Sequence, residues 1–166
     1  MGRVFAKAKG LGYIMWQSRH MVYHMMIGAL WAWYLRERWA EFNPKWIYTA
    51  IVGSILPDIE HIFFFLGYGR RETYSKTVMD LLKHHHWRAL FLFVSTGHKH
   101  NTSLAYHNLY TVVFLLLIGL FASSIDWHVG VVLLGAMVSH YLFDIWDDFL
   151  QLGHMNPNWK RFGRPR

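Results

Sequence analysis

The sequence contains no cysteine, and this absence excludes disulfide bonds, thiolate metal sites and cysteine nucleophiles. The chain is also poor in charge, because Asp, Glu, Lys and Arg make up only 16% of its 166 residues, against roughly 25% in an ordinary soluble domain. Hydrophobic residues, in contrast, make up 54%. Such a low charge content beside so much apolar surface is typical of a protein whose solvent is lipid.

Acidic residues are few, so the net charge is +7 at pH 7. In a soluble protein this excess would suggest a nucleic-acid partner. Here the basic residues concentrate at 1–19, in 69–103 and after residue 150, outside the most apolar stretches. Anionic lipid headgroups and membrane topology explain that distribution better. No nucleic-acid motif is present, and we predict membrane lipids rather than nucleic acid as partners.

Four stretches are apolar enough for membrane spans, each of which requires about 20 helical residues. The predicted spans cover residues 19–36, 46–67, 104–124 and 127–150, and Pro57 predicts a kink in the second. A signal peptide is the competing interpretation of the first span, but bulky residues stand where a cleavage site needs small ones. The sequence therefore predicts an all-α integral membrane protein, a four-helix bundle that forms one transmembrane domain over residues 1–166.

The loops between these spans predict an orientation. Residues 1–19, 69–103 and the tail have a net charge of about +4 each, whereas the net charge is only about +1 for residues 35–45 and negative for the turn at Asp126. By the positive-inside rule, both termini and the long middle loop should be cytoplasmic, with Trp159 in the inner aromatic belt. Apolar residues recur at helical spacing over 78–94, which predicts an interfacial helix between the second and third spans.

Twelve histidines are present, and several fall inside the spans beside acidic residues. Ionisable groups at membrane depth are costly and usually mark a functional site. Residues three or four apart share one face of a helix, so paired side chains can act together. The pairs are His20 with His24, Asp58 with His61, and His140 with Asp144, and His107 opens the third span.

In the predicted orientation, all four spans present these residues in their cytoplasmic halves. Imidazole and carboxylate are the ligands of Zn²⁺ and comparable divalent ions, and facing helices of a bundle can assemble them. We predict a divalent metal, with zinc the expected ion. The predicted ligands are Asp58, His61, His140, Asp144, His24 and His107. The structural alternative is a polar network that joins the helices by hydrogen bonds.

These motifs resemble the membrane-bound metal-dependent hydrolase family of YdjM-like bacterial inner-membrane proteins. Residues 56–61, LPDIEH, are similar to the family's second-helix pattern of leucine-proline-aspartate-x-aspartate-histidine, with Glu60 in place of the second aspartate. Residues 24–28, 106–108 and 139–144 resemble its other motifs in order and spacing, over roughly residues 20–153. The family's histidine-arginine-glycine segment before the third span is missing.

The resemblance implies a metal-dependent hydrolase in the inner membrane of a prokaryote, acting on a phosphoester or lipid-like substrate at the cytoplasmic side. Thr102 stands where the missing histidine-arginine-glycine segment would begin. Glu60 is either a bridging ligand or the catalytic general base that activates water. Arg88, in the predicted interfacial helix, is a candidate for binding an anionic headgroup of the substrate.

Two other functions stay open at this point. The chain could be a non-enzymatic subunit or scaffold of a larger membrane complex, or a homo-oligomer, with a structural or degenerate metal site; the missing segment favours this view. It could also be a b-type haem protein with His24 and His140 as axial ligands. The carboxylates beside each histidine favour a harder metal ion over haem.

Overall fold

The computed structural model describes the backbone of residues 2–41, 43–101 and 104–161. Side chains are described within those ranges except at residues 2–20, 95–96 and 98–101. This part of the chain is helical and contains no β-strand, so the predicted all-α class is confirmed.

Seven α-helices occur within the described ranges. They are α1 (Gly2–Trp39), α2 (Pro44–Ile55), α3 (Ile59–Phe63), α4 (Thr73–Lys83), α5 (Trp87–Asn101), α6 (Leu109–Ser124) and α7 (His128–Leu152). A 3₁₀ turn at Leu56–Asp58 interrupts the helix at the predicted Pro57 kink, and a π-helical turn at Phe64–Tyr68 follows α3. A second 3₁₀ turn, Pro157–Lys160, follows α7.

Contacts divide the chain into two compact units. Unit 1 consists of Met1–Met21 and Glu60–Leu104, and unit 2 consists of Val22–Ile59 and Ala105–Arg166. Unit 1 therefore holds the beginning of α1 together with α4 and α5. Unit 2 holds the rest of α1 together with α2, α6 and α7.

In unit 1, α4 and α5 pack against each other around an aromatic core. The hydroxyl of Tyr74 in α4 donates a hydrogen bond to the carbonyl of Val94 in α5, at 3.2 Å. The ring of Tyr74 also stacks on Phe93, with centroids 5.0 Å apart. The buried members of this core are Phe64, Tyr74, Val78 and Leu104.

The segment predicted as one helix over 78–94 consists instead of the C-terminal half of α4 and the first half of α5. The break falls at the histidine run 84–86, where His85 adopts a φ of 55°. This left-handed conformation is costly for a residue with a Cβ and cannot continue a right-handed helix. Helical spacing of apolar residues on both sides of the break concealed it in the sequence.

In unit 2, α7 is the central helix and packs against both α2 and α6. The indole Nε1 of Trp31 donates to the carbonyl of Val132 at 3.2 Å, which joins α1 to α7. One buried cluster fills the space between α1, α2 and α7, and a second lies between α6, α7 and the C-terminal 3₁₀ turn. The first comprises Ala32, Leu35, Trp46, Ala50, Val132 and Ala136; the second comprises Val112, Leu115, Val138, Tyr141 and Trp159.

Two glycines allow the helices of unit 2 to approach closely. A Cβ on Gly28 would lie 2.6 Å from the carbonyl oxygen of Ala50, and one on Gly53 would lie 2.7 Å from that of Leu133. Neither distance is compatible with a side chain, so the backbones of α1 and α7 each reach α2 only because these positions are glycine. The close approach brings α1, α2 and α7 together where the polar residues lie.

Two helical segments in the described residues are long and apolar enough to cross a membrane, Pro44–Tyr68 and His128–Leu152. They correspond to the second and fourth predicted spans. The third predicted span begins later than expected, at Leu109, because the side chain of Asn108 caps α6 by accepting a hydrogen bond from the Thr111 amide. At 16 residues, α6 is apolar but shorter than the other two.

Candidate metal centre

Five of the predicted metal ligands converge within unit 2. The chain brings them together from four separate segments, each of which contributes one or two of them. His24 comes from α1, Asp58 from the 3₁₀ turn after α2, His107 from the loop before α6, and His140 and Asp144 from successive turns of α7.

Asp144 lies at the middle of this group. Its Oδ1 is 3.3 Å from Nε2 of His24. Its Oδ2 is 3.0 Å from Nε2 of His140 and 3.7 Å from Nε2 of His107. Asp58 also faces His140, with its Oδ1 3.8 Å from Nε2 of His140. Two carboxylates and three imidazoles therefore present their ligand atoms to one small volume.

The imidazoles are buried and the carboxylates are partly accessible. The side chains of His24 and His140 are fully buried, whereas those of Asp144 and Asp58 are 16% and 28% exposed. A buried wall of rings thus faces carboxylates that can be reached from outside the protein.

The backbone of α2 determines which nitrogen of His140 faces the carboxylates. Nδ1 of His140 lies 2.6 Å from the carbonyl oxygen of Ser54. Because a carbonyl can only accept, Nδ1 carries a proton, and Nε2 is the ring nitrogen that faces Asp58 and Asp144. Metal-bound histidines characteristically donate their other ring N–H to a carbonyl or carboxylate in this way. Nε2 of His140 is therefore the nitrogen available to bind a metal ion.

Stacking fixes the orientation of the two buried rings. The His24 and His140 rings lie face to face with centroids 3.8 Å apart and planes 21° apart. Phe143 packs edge-on against His24 at 5.2 Å. Axial ligands of a haem must instead stand on opposite faces of a porphyrin, and stacked rings leave no room for one between them. This geometry does not favour the haem alternative.

Hydrogen bonds within the loop and from the C-terminal 3₁₀ turn fix the loop that carries His107. Asn108 donates from Nδ2 to the carbonyl of Ala105 at 2.6 Å while it caps α6. Asn158, from the C-terminal 3₁₀ turn, donates to the carbonyl of His107 at 3.1 Å. The ring of His107 packs edge-on against Tyr141, with centroids 5.0 Å apart. These contacts position an imidazole that lies outside any helix.

Trp159 supports this arrangement and was predicted in the wrong place. The sequence predicted it in an aromatic belt at the membrane surface, but it is 3% exposed and belongs to the core of unit 2. Its Nε1 donates to Oδ2 of Asp148 at 2.6 Å, and its ring lies beside His107 with centroids 6.2 Å apart. The hydrogen bond supplies a donor for a carboxylate that is itself buried.

Replacing Trp159 with phenylalanine should therefore destabilise unit 2. The variant keeps an aromatic ring but removes the donor to Asp148, and a hydrogen bond to a charged group contributes about 1.5–3 kcal/mol. We expect the free energy of unfolding to fall by about 2 kcal/mol, measured by denaturant titration in detergent. Trp33→Phe is the matched control because Trp33 is exposed. Equal stability of the two variants would show that the bond to Asp148 contributes nothing.

The remaining predicted site residues belong to unit 1. Glu60 is buried and accepts a hydrogen bond from the Tyr68 hydroxyl at 2.6 Å. His61 is half-buried in α3, and Arg88 is exposed in the first turn of α5. The centre as described therefore consists of unit 2 residues, and the roles of Glu60, His61 and Arg88 stay predictions.

The donor set fits a divalent metal ion. The ligand atoms of His24, Asp58 and His140 lie within 4.8 Å of one another, as do those of His107, His140 and Asp144. Ligands bound at about 2.1 Å from one cation lie about 3.0–3.4 Å apart in octahedral or tetrahedral geometry. The observed nitrogen–oxygen distances of 3.0 to 3.8 Å are close to that spacing. These buried histidine and aspartate groups could hold a metal ion, whose identity the distances do not select.

Ser54, Asn158 and Trp159 are supporting residues that the sequence analysis did not assign to the site. Ser54 acts through its backbone carbonyl, which has no sequence signature, and the other two lie beyond the last predicted span. No protein-family model, curated protein or solved structure matches the chain. Its resemblance to the membrane-bound metal-dependent hydrolases thus stays a prediction drawn from the motifs.

Proposed function

We propose that this protein is an integral membrane metal-dependent hydrolase whose substrate is a phosphoester or lipid-like molecule. The convergence of three imidazoles and two carboxylates on one small volume, with Nε2 of His140 directed by the Ser54 carbonyl, is the observation that supports it most. Zinc is the expected ion because it accepts mixed imidazole and carboxylate ligands. The ligand set comprises His24, Asp58, His107, His140 and Asp144, and the prediction adds His61.

Exposed apolar surface supports a membrane location. On α6, the side chains of Phe114, Leu117 and Leu120 are each more than 60% exposed. In the two helical segments of spanning length, only 33% of the most apolar window is buried. A core helix of a water-soluble protein would bury such residues, and an apolar face of this extent in water promotes aggregation. Lipid contact accounts for it without further partners.

We extend the proposal to a four-span arrangement in the inner membrane of a prokaryote. The first part of the support is the charge pattern of the loops, which puts both termini and residues 69–103 in the cytoplasm. The second is that apolar residues point outward while His24 and His140 are fully buried, as intramembrane ionisable groups of functional sites are. The centre then lies toward the cytoplasmic side.

The residues of the centre have distinct parts in the proposed chemistry. A divalent ion, when bound, supplies Lewis-acid chemistry toward a phosphoryl or carbonyl oxygen. Asp144 offsets the positive charge and holds the three imidazoles in one orientation. Asp58 is the most accessible carboxylate of the centre and can accept a hydrogen bond from an incoming water. Glu60, two residues further along the chain, keeps its proposed role as general base.

Metal analysis combined with a hydrolysis panel tests the proposal. We expect protein purified in detergent to retain about one divalent ion per chain or more. It should hydrolyse a phosphodiester or phospholipid ester, lose this activity to a chelator and regain it when the metal is restored. The double variant Asp58→Ala/His140→Ala should lack both metal and activity.

Two results would contradict the proposal in different ways. Protein that holds no metal, and whose double variant is unchanged in activity and stability, would show that these residues form no metal site. Protein that holds metal but turns over no substrate, and copurifies with a stoichiometric partner, would instead identify a subunit of a larger membrane complex.

A further inference from the structure

Unit 2 contains a groove that the proposed hydrolase chemistry does not use. It has a volume of about 360 Å³ and is lined by α1, α6 and α7, which is within the range of about 300–1,000 Å³ for small-molecule sites. Residues 131–138 of α7 form its floor, and the indole of Trp31, packed on Gly135, forms part of one wall. Gly119 of α6 leaves space on the opposite wall, since a Cβ there would meet only the Leu134 Cβ, at 3.8 Å.

The lining of the groove is apolar along its length and cationic at one end. Among the described residues that line it, Arg38 is the only charged one. Arg38 is exposed, and no carboxylate of the described chain forms an ion pair with it, whereas Arg36 lies 3.9 Å from Glu37. Ser123 and Trp39 lie at the same end of the groove, where α1 and α6 finish. A ligand that matches this lining has an apolar body and an anionic end.

The groove is separate from the candidate metal centre. Arg38 follows His24 by fourteen residues on the continuous helix α1, which corresponds to about 21 Å at 1.5 Å per residue. The buried side chains of Val112 and Tyr141 lie in the core between α6 and α7, beyond the end of the groove at Val138. A molecule bound in the groove therefore does not place its charged end at the centre.

We propose that this groove binds one anionic phospholipid, with an acyl chain along α7 and its phosphate-bearing headgroup at Arg38. The inference rests on the membrane location argued above and not on hydrolase activity. The site lies at the end of the bundle opposite the metal centre, so the lipid is a bound component rather than the substrate. Its acyl chain covers the apolar side chains that line the groove, and Arg38 selects the headgroup.

Native mass spectrometry tests the proposal on the full chain. Protein purified in mild detergent and freed of lipid is incubated with phosphatidylglycerol or with phosphatidylcholine of the same acyl chains. We expect the wild type to retain phosphatidylglycerol about fivefold better, the factor expected for one basic side chain at an anionic headgroup. Arg38→Ala should bind the two lipids equally, because the cation is lost and the groove is intact.

Gly119→Leu should lose both lipids, since the new side chain fills the groove without meeting backbone. Arg36→Ala and Leu117→Phe are matched controls, as neither residue lines the groove, and both should behave as the wild type.

Equal retention of the two lipids by the wild type, or unchanged preference in Arg38→Ala, overturns the proposal. If the wild type were a dimer that Gly119→Leu dissociates, a second copy of the chain would occupy the groove, and this result would also overturn the lipid proposal. Metal content, measured in the same samples, should not change, which separates this result from any failure of the hydrolase proposal.

Discussion

Asparagine in place of Asp144 is expected to weaken metal binding by more than about a hundredfold, because removing even an outer partner of a ligand costs about 10- to 100-fold. Asp144 is itself a proposed metal ligand and not only a hydrogen-bond partner of one. Its two oxygens lie 3.3 Å from Nε2 of His24 and 3.0 Å from Nε2 of His140. Asparagine has nearly the same shape, so packing is retained while the negative charge is lost.

The loss follows from charge and from geometry. Neutral imidazoles supply lone pairs but no negative charge, so among these ligands only the carboxylates balance the charge of a buried cation. Asp58 does not replace Asp144, since its Oδ1 stands 3.8 Å from Nε2 of His140, whereas Oδ2 of Asp144 stands 3.0 Å from it. Hydrolytic activity should therefore fall together with metal occupancy.

Metal occupancy is measured by elemental analysis, and affinity by competition with a chelator in detergent. Asp147→Asn is the matched control, because Asp147 is buried in the same helix and accepts a hydrogen bond from Gln151 at 2.6 Å. Asp147→Asn should keep its metal. If both variants lost metal to the same extent, general destabilisation of α7 would explain the result and the central role of Asp144 would be wrong.

Alanine at Gly28 is expected to destabilise unit 2 by about 1–3 kcal/mol, the usual cost of forcing extra atoms into a packed interior. The new Cβ would lie 2.6 Å from the carbonyl oxygen of Ala50 and 2.7 Å from Oγ of Ser54. One of these is backbone, so α1 must move away from α2. His24 lies one helical turn before Gly28, and the movement should also withdraw its ring from His140 and reduce metal occupancy.

Gly119→Ala is the matched control for this substitution. Glycine to alanine inside an exposed helix is normally stabilising by about 0.5–1 kcal/mol, and a Cβ at Gly119 would meet only Leu134, at 3.8 Å. The two variants should thus change the free energy of unfolding in opposite directions, measured by denaturant titration. A Gly28→Ala protein as stable as Gly119→Ala would show that α1 and α2 are not held as closely as the structure has them.

Helical periodicity accounts for much of what the sequence predicted. His140 and Asp144, four residues apart, were expected on one face of a helix, and their side chains do meet. The all-α class and the interruption at Pro57 followed from equally local rules. Local rules failed at the histidine run 84–86, since the positive φ of His85 breaks a helix whose apolar spacing continues on both sides.

The partners across helices could not be predicted in the same way. One ring stacks on His140, and one carbonyl accepts the hydrogen bond from its Nδ1–H. Both partners depend on where Gly28 and Gly53 let the helix backbones approach. A tryptophan in a basic tail has the same local sequence whether it lies in a membrane surface or in a core. Trp159 could be assigned only through its contact with Asp148, which belongs to another element.

The long apolar stretches, the shortage of charge and the histidines within those stretches by themselves determined that this is a helical chain with ligand-type side chains in apolar surroundings. Spacing along each helix then named the candidate residues. Only the tertiary structure decided that five of them, His24, Asp58, His107, His140 and Asp144, face one point in unit 2. The physical reason is that composition and periodicity act within one helix, whereas a metal site requires separate helices to approach to within a few ångströms, which close backbone packing alone permits.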